Sequence, residues 1–340
     1  MPRLNRPFAI LVFSLALAVC SCSRRAAAPA APDGIAARWF TLQGDSLLVS
    51  ISPFDLSRDT LLIDHPFGRI ICMSSSHVGF LEALGCDSVA VGVSGVGYLW
   101  GEKVRENAAE VGYDAALDYE KVLGLNPDLV LAYSLSASVP PYVAKLRSLG
   151  VRVVIVNEHL ESHPLARAEY LRFAGALTGK LALADSLFSS IKESYLSQAV
   201  HTDKPRKAIL NIPYAGMWYV PGEDNYMSQL VRDAGGVVLG ARKGLSGSSV
   251  ISLEEALSLA LQADVWLNPG GCRTKDQLYA VNSLFRKFPE EIYNNNLRTV
   301  ASGGNDFWES GVVRPDLVLS DLRNILSGTP APLNYYIRLE

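Results

Sequence analysis

Two stretches of the chain alternate short apolar runs with helical patterns, and this alternation limits the possible folds more than any other feature. Short apolar runs between turn signals are typical of buried strands. Strands that alternate with helices form parallel βαβ units. The sequence therefore predicts an α/β fold with two lobes, residues 67–160 and 204–328. The runs are RIICM (69–73), SVAVGVS (88–94), PDLVLAY (127–133), GVRVVIVN (150–157), RKAILNI (206–212), ADVWLNPG (263–270) and RTVAS (298–302).

A pair of similar motifs indicates that the lobes have the same design. Asp118-Tyr119-Glu120 opens a predicted helix before the strand at 127–133, and Ser252-Leu253-Glu254 opens one before the strand at 263–270. The glutamate precedes the aspartate of the following strand, Asp128 or Asp264, by eight residues in the first lobe and ten in the second. We infer that the two lobes are structurally related.

Residues 161–203 separate the lobes and keep a helical apolar period almost throughout. A helix of about 35 residues would be about 50 Å long at 1.5 Å per residue, which matches the height of two lobes. Gly179 is a candidate bend within it. The pattern predicts one long bridging helix that joins the lobes as a rigid strut.

The first residues have the layout of an export signal. Arg3 and Arg6 precede an apolar run from Phe8 to Val19, which is shorter than the roughly 20 residues needed to span a bilayer. Val19-Cys20-Ser21-Cys22 resembles the bacterial lipoprotein box, so residues 1–22 are predicted to be a signal peptide with lipidation at Cys22. Cys20 is the alternative lipidation site, and a plain signal with incidental cysteines is the alternative interpretation.

The remaining segments are smaller. Residues 23–35 are rich in alanine and proline and are predicted to be a flexible tether, 36–66 a β hairpin appendage, and 329–340 a C-terminal tail. Of 31 basic residues two precede residue 21, which leaves 29 against 34 acidic residues, so nothing favours nucleic acid. Three widely spaced cysteines remain beyond the signal and indicate neither a disulfide framework nor a zinc site.

The order of these segments resembles the helical-backbone class of periplasmic substrate-binding lipoproteins, which serve ABC importers of iron–siderophore, haem and vitamin B12. The resemblance covers about residues 69–327, but the 36–66 appendage is not part of the common core. His77-Val78 stands where many relatives carry Thr-Glu. The resemblance implies two Rossmann-like lobes joined by one long helix. The stretches that carry it are RIICMSSSHVGFLEALGCDSVAVGVS, YEKVLGLNPDLVLAYS, WYVPGEDNYMSQLVRDAGG and SLEEALSLALQADVWLNPG.

If two lobes face each other, a ligand binds between them, at the loops that follow the strands. Four such loops carry large aromatic residues, which pack well against a flat ligand. Packing of each ring on its own lobe is the alternative. The candidate ligand-binding residues are Tyr98, Trp100, Tyr133, Trp218, Tyr219, Phe307 and Trp308.

Positive charge is sparse in these loops: Lys103, Arg105 and Arg273 do not form a cluster. Strongly anionic chelates require several cations, so cobalamin is favoured slightly over a ferric siderophore or haem. Haem needs an axial ligand, which Tyr98, Tyr133 or His77 could supply, although we expect His77 on the exposed end of its helix. A bare-metal carrier would need converging ligands, and we predict no metal site and no cofactor apart from the transported ligand.

The resemblance also implies the partners: an ABC permease with its ATPase, the membrane through the lipid anchor, and no nucleic acid. It implies a monomer on the periplasmic side, with Glu120 and Glu254 docking onto the permease. A hydrolase is the alternative, but Ser74-Ser75-Ser76 lacks the G-x-S-x-G context. Asp306 and Glu309 are a possible acid pair, for which loop hydrogen bonding is the commoner explanation. We therefore expect a binding protein and not an enzyme.

Overall fold

A computed structural model describes residues 35–340 of the chain. The predicted signal peptide, its lipidation candidates Cys20 and Cys22, and the tether up to Gly34 lie outside the described residues. None of the helices between residues 35 and 340 has the length and apolar character needed to cross a membrane. In the same part of the chain Cys72, Cys86 and Cys272 are free thiols.

The first element is a small antiparallel sheet with the strand order β1-β2-β3. The predicted hairpin is present as β1 and β2, and a third strand joins it. The sheet is fixed to the first lobe because Ser50 Oγ donates to the Ile155 carbonyl and Asn157 Nδ2 donates to the Ile51 carbonyl. The strands are β1 (Phe40–Gln43), β2 (Leu47–Ile51) and β3 (Arg58–Leu62).

The first lobe is a five-stranded parallel sheet with the order β6-β5-β4-β7-β8. Strands β4 and β7 are fully buried, as their continuous apolar runs predict. The strands are β4 (Ile70–Cys72), β5 (Ala90–Val93), β6 (Ala109–Glu110), β7 (Leu129–Ala132) and β8 (Val153–Ile155). The helices are α1 (Ser75–Ala83), α2 (Glu102–Asn107), α3 (Tyr119–Gly124) and α4 (Pro141–Ser148).

Three helices join the lobes: α5 (Pro164–Ala168), α6 (Tyr170–Leu177) and α7 (Leu181–Gln198). The prediction of one long helix is therefore wrong. Gly179 has φ +69° and ends α6, after which α7 folds back along it. The pairing of Arg172 with Asp185 and the contact between the rings of His163 and Tyr195 identify an antiparallel helical hairpin. The apolar period continues across the turn because α6 and α7 both pack through an apolar face.

The second lobe contains a five-stranded sheet with the order β11-β9-β13-β14-β15, whose last strand is antiparallel, and a separate pair, β10 and β12. The strands are β9 (Arg206–Leu210), β10 (Trp218–Pro221), β11 (Gly236–Val238), β12 (Ser248–Ile251), β13 (Val265–Leu267), β14 (Ile292–Asn294) and β15 (Ile337–Arg338). The helices are α8 (Tyr226–Asp233), α9 (Leu253–Ala260), α10 (Lys275–Val281), α11 (Ser310–Val313) and α12 (Pro315–Ser327).

The position of the last parallel strand differs from the prediction. Strand β14 pairs with β13, whereas the predicted strand at 298–302 is loop with a single bridge between Thr299 and Asn305. The remaining topology agrees with the predicted α/β fold of two lobes with parallel sheets. In both lobes the first parallel strand lies between two later strands of its sheet: β4 between β5 and β7, and β9 between β11 and β13.

Candidate functional site

The two lobes face each other across a cleft of about 760 Å³. It lies beyond the carboxyl ends of the parallel strands of both sheets, the position at which α/β folds bind ligands. From the first lobe it is lined by Ser75, Ser94, Gly95, Tyr98 and Tyr113, and from the second by Gly270, Gly271, Arg273, Asn296, Thr299, Gly303, Gly304, Asn305 and Trp308.

The first-lobe wall presents two tyrosines, Tyr98 and Tyr113, each 52% exposed. Glu110 at the end of β6 arranges their loop, since its carboxylate accepts the amides of Gly95 (3.0 Å) and Val96 (2.8 Å). Gly95 has φ +78°, and a Cβ there would lie 3.2 Å from Tyr113 Oη. The glycine therefore permits both the turn and the close approach of the ring.

The second-lobe wall combines polar groups with Trp308, which is 45% exposed. Arg273 is the charged residue among the described residues that line the cleft. Its guanidinium donates to the carbonyl of Asn296 and to Thr299 Oγ1 (3.0 Å), so the side chain is held against the wall. Asn296 is buried and its amide donates to the carbonyls of Gly271 and Cys272. This wall offers one positive charge beside uncharged hydrogen-bonding groups.

Of the predicted aromatic residues, Tyr98 and Trp308 line the cleft, but three others lie outside it. Trp100 lies near the Arg298 guanidinium (5.6 Å from the ring centroid). The hydroxyl of Tyr133 donates to Asp114 (3.3 Å), and the hydroxyl of Tyr219 contacts Met217 Sδ (3.9 Å). The structure thus brings together two of the predicted rings and adds Tyr113, which the sequence reasoning missed.

Two further candidates are core residues, and their assignment to the cleft is wrong. Trp218 is 1% exposed, stacks on Phe288 with ring centroids 5.5 Å apart, and donates from Nε1 to the Leu210 carbonyl. Phe307 is 4% exposed and packs edge-on against Tyr336. Trp218 belongs to β10, whose pairing with β12 directs it inward, opposite Ile251.

The expectation for His77 is also wrong. His77 is 1% exposed, because α1 packs against both the first sheet and α6. Burial lowers the pKa of its imidazole to about 4, so the ring is neutral at pH 7. It does not line the cleft and is unavailable as an axial ligand. Within residues 35–340 no cluster of histidine, cysteine, aspartate and glutamate side chains could hold a metal ion.

The polar residues of segment 296–305 were missed because the last parallel strand of the second lobe was predicted at residues 298–302, too late in the chain. With β14 at Ile292–Asn294, the loop that follows it begins at Asn295, and the rule that ligands bind beyond strand ends then selects Asn296, Thr299 and Asn305. Asp306, considered above as one of an acid pair, is 1% exposed and is paired with Arg298 (2.9 Å). Its position is that of a structural loop residue.

Glu120 and Glu254 are exposed and occupy equivalent positions in the two lobes. Asp118 caps α3 by accepting the Lys121 amide (2.9 Å), and Ser252 caps α9 by accepting the Glu255 amide (3.1 Å). Glu120 and Glu254 are each the second residue after the cap, so neither is needed to close it. The helices therefore present two carboxylates that their own caps do not use.

Comparison with known proteins gives one family and several distant relatives. Residues 70–284 match the family model described as periplasmic binding protein. An uncharacterized lipoprotein of Methanocaldococcus jannaschii is 26% identical over 285 residues, 78% of this chain and 66% of that protein. A cobalamin-binding protein of Halobacterium salinarum is 25% identical over 214 residues, 62% of this chain and 56% of that protein.

Among solved structures, a periplasmic heme binding protein from Pseudomonas aeruginosa is similar, with a TM-score of 0.62 and 19% sequence identity. The similarity covers 81% of this chain and 98% of that one. At this identity it shows a common fold. The chain spans only about half to two thirds of the length of the two curated relatives described.

Proposed function

Because this chain belongs to the periplasmic binding protein family, we propose that it captures a metal–organic chelate in the cleft between its lobes and delivers it to the permease of an ABC importer. Cobalamin is favoured slightly over a ferric siderophore or haem. The observation that carries the proposal is the cleft itself. Tyr98, Tyr113 and Trp308 offer exposed rings from both lobes, beside uncharged polar groups. Concave sites with apolar walls and a few orienting polar groups are the usual form of small-molecule sites.

The charge of the cleft supports the order of the candidates. Arg273 supplies a single positive charge, whereas an iron chelate with several carboxylates would be better bound by several cations. A ligand rich in amide and hydroxyl groups instead suits Ser75, Asn296 and Thr299, which can donate and accept hydrogen bonds. These properties favour a bulky chelate of low net charge.

Haem is the second candidate, and the two tyrosines favour it. Tyr98 and Tyr113 each present a phenol at the cleft, and a tyrosine oxygen is a known axial ligand of haem iron. His77 is buried away from the cleft and cannot compete for that role. One propionate could then pair with Arg273.

The location and partners follow from the same proposal. A lipid on Cys22, or alternatively Cys20, would hold the carrier outside the cytoplasm near the membrane, as lipid-anchored carriers of importers require. Glu120 and Glu254 would dock onto arginines of the permease, one from each lobe. Their equivalent positions at α3 and α9 and their exposure support this assignment.

Titration calorimetry of the full-length protein with cyanocobalamin, haemin and a panel of ferric siderophores tests the ligand. We expect binding of one class, and Trp308→Ala should weaken it by about 30-fold, equivalent to about 2 kcal/mol for a well-packed aromatic contact. Tyr219→Ala removes a ring of the same lobe outside the cleft and should bind as the wild type does. Failure of all three ligand classes would overturn the chelate proposal, and equal losses in the two variants would overturn the placement of the site.

A further inference from the structure

One glutamate of the second lobe is buried in the first. Glu309 follows the cleft residue Trp308 and is 1% exposed. Its carboxylate oxygens accept the backbone amides of Trp100 (2.9 Å) and Gly101 (2.7 Å), which lie between β5 and α2. A Cβ on Gly79 of α1 would lie 2.5 Å from the Glu309 carbonyl oxygen. Glu309 thus fastens the last cleft loop of the second lobe onto the first.

A second carboxyl group meets Glu309 from the first lobe. Glu82 on α1 is half-buried, and its side chain hydrogen-bonds with that of Glu309. A Cβ on Gly101 would lie only 1.8 Å from Glu82 Oε1, so the Glu82 carboxyl covers the same peptide that donates to Glu309. Two carboxyl groups can form a hydrogen bond only when one of them carries a proton. Glu309 already accepts two amide donors, which favours its ionised form, so the proton belongs on Glu82.

The neighbouring charged groups do not neutralise this pair. Asp87 beside α1 and Asp306 before Glu309 are both acidic and add negative potential. The nearby cations have other partners. Arg298 pairs with Asp306 (2.9 Å) and Lys103 with Asp87 (3.5 Å), while Arg105 donates to the carbonyls of Leu99 and Trp100. Tyr335, whose pKa burial raises to about 12, stays neutral. The proton is therefore the group that allows the two carboxyls to lie together.

We propose that Glu82 and Glu309 share one proton across the lobe interface, and that this proton controls how firmly the two lobes are held together at the cleft. The contact is continuous with the cleft wall. Ser302 Oγ donates to the Gly97 carbonyl, and Ser75 Oγ donates to the Trp308 carbonyl (3.3 Å). Loss of the proton would place two carboxylates side by side and loosen this edge of the cleft. The inference concerns the lobe contact and does not depend on which ligand is bound.

The direction of the pH dependence follows from the raised pKa values. Burial, together with the charge of Glu309, raises the pKa of Glu82 from its ordinary value of 4.5 to about 8, and burial also raises that of Glu309. A carboxyl group whose pKa is higher in the folded state contributes stability at low pH, and loses it as the pH rises through the folded value. The lobe contact is therefore firmest at acidic pH, weakens as the pH rises from 4.5 to about 8, and changes little above that.

Hydrogen exchange of the Trp100 and Gly101 amides in the full-length protein reports the contact directly. In the wild type, after correction for intrinsic exchange, their protection should fall by up to about tenfold for each pH unit between pH 4.5 and about pH 8, and should level off above that. Glu82→Gln keeps a neutral donor at the position, so its amides should not show this fall in protection. Glu106→Gln, an exposed glutamate of α2, is the matched control and should behave as the wild type. Glu161, whose pKa is also raised to about 8, is present in all three proteins, so it does not account for a difference between their pH profiles.

Two results would overturn the proposal. One is wild-type protection of these amides that does not change between pH 4.5 and about pH 8 after correction for intrinsic exchange. The other is a Glu82→Gln variant with the same loss of protection as the wild type. If that variant does not fold, the wild-type profile decides the question alone, with amides of the buried strand β13 as the internal reference for global opening.

Discussion

The two lobes have similar parallel sheets but place their aromatic residues differently. In the first lobe, the core beside β4 and β7 is mainly aliphatic, and Tyr98 and Tyr113 remain exposed at the cleft. In the second, Trp218 packs inside with Trp266, Phe285 and Phe288, and Trp308 alone among the described cleft-lining residues of that lobe is aromatic. An aromatic residue in or next to a strand can therefore pack in the core or remain exposed at the cleft, and strand pairing determines which.

The largest effect should come from the core ring of this comparison. Trp218→Ala removes a fully buried indole, its stacking on Phe288 and its hydrogen bond to Leu210, and should lower the free energy of unfolding by about 3–5 kcal/mol. Trp308→Ala removes a ring that is 45% exposed and should cost far less. Chemical denaturation of both variants measures the difference. Equal losses would show that the two tryptophans do not have separate roles.

These tryptophans also show what the sequence could predict. Both follow apolar runs within the same lobe, so local pattern places both near the cleft. The distinction arises from a non-local pairing, in which Trp218 lies opposite Ile251 of β12, 33 positions later in the chain. The strands β4 and β7 were predictable because each is a short apolar run bounded by turn residues and buried on both faces. Strand β9 was predictable from its apolar half, residues 208–210, which is buried.

The prediction of one long helix between the lobes failed for a related reason. Periodicity measures which face of a helix is apolar, but not whether the chain reverses after a turn. Gly179, with φ +69°, reverses it, and α7 then packs along α6. The predicted 50 Å strut is thus a shorter helical hairpin. Single positions of this kind determine tertiary direction while leaving the secondary-structure pattern almost unchanged.

A smaller effect is expected where the lobes touch. A Cβ on Gly304 would lie 1.8 Å from the Tyr98 carbonyl oxygen, so Gly304→Ala should force the lobes apart and cost about 1–3 kcal/mol of stability, a typical penalty for overpacking. Gly271→Ala is the matched control on the same wall, since a Cβ there meets nothing within 4 Å. Thermal unfolding compares them. A Gly304→Ala variant as stable as the control would show that the close approach is not required.

The smallest change in stability should come from replacing Glu120 and Glu254, which occupy equivalent positions in the two lobes. Acidic residues in the first turn of a helix contribute about 0.3–1 kcal/mol through the helix dipole, so Glu120→Ala combined with Glu254→Ala should change the melting temperature little. Ligand affinity should also be unchanged, because neither residue lines the cleft.

Transport is the measurement that separates docking from a dipole effect. If both carboxylates contact arginines of the permease, the double variant should lose uptake by the reconstituted importer while it still binds ligand. Glu102→Ala with Glu255→Ala removes exposed first-turn acids from one helix of each lobe and is the matched control. A dipole effect would act equally in both double variants, whereas docking predicts a defect only for Glu120 and Glu254. Normal uptake by the Glu120/Glu254 variant would therefore exclude these residues from the permease contact, and each lobe's docking surface would have to lie elsewhere.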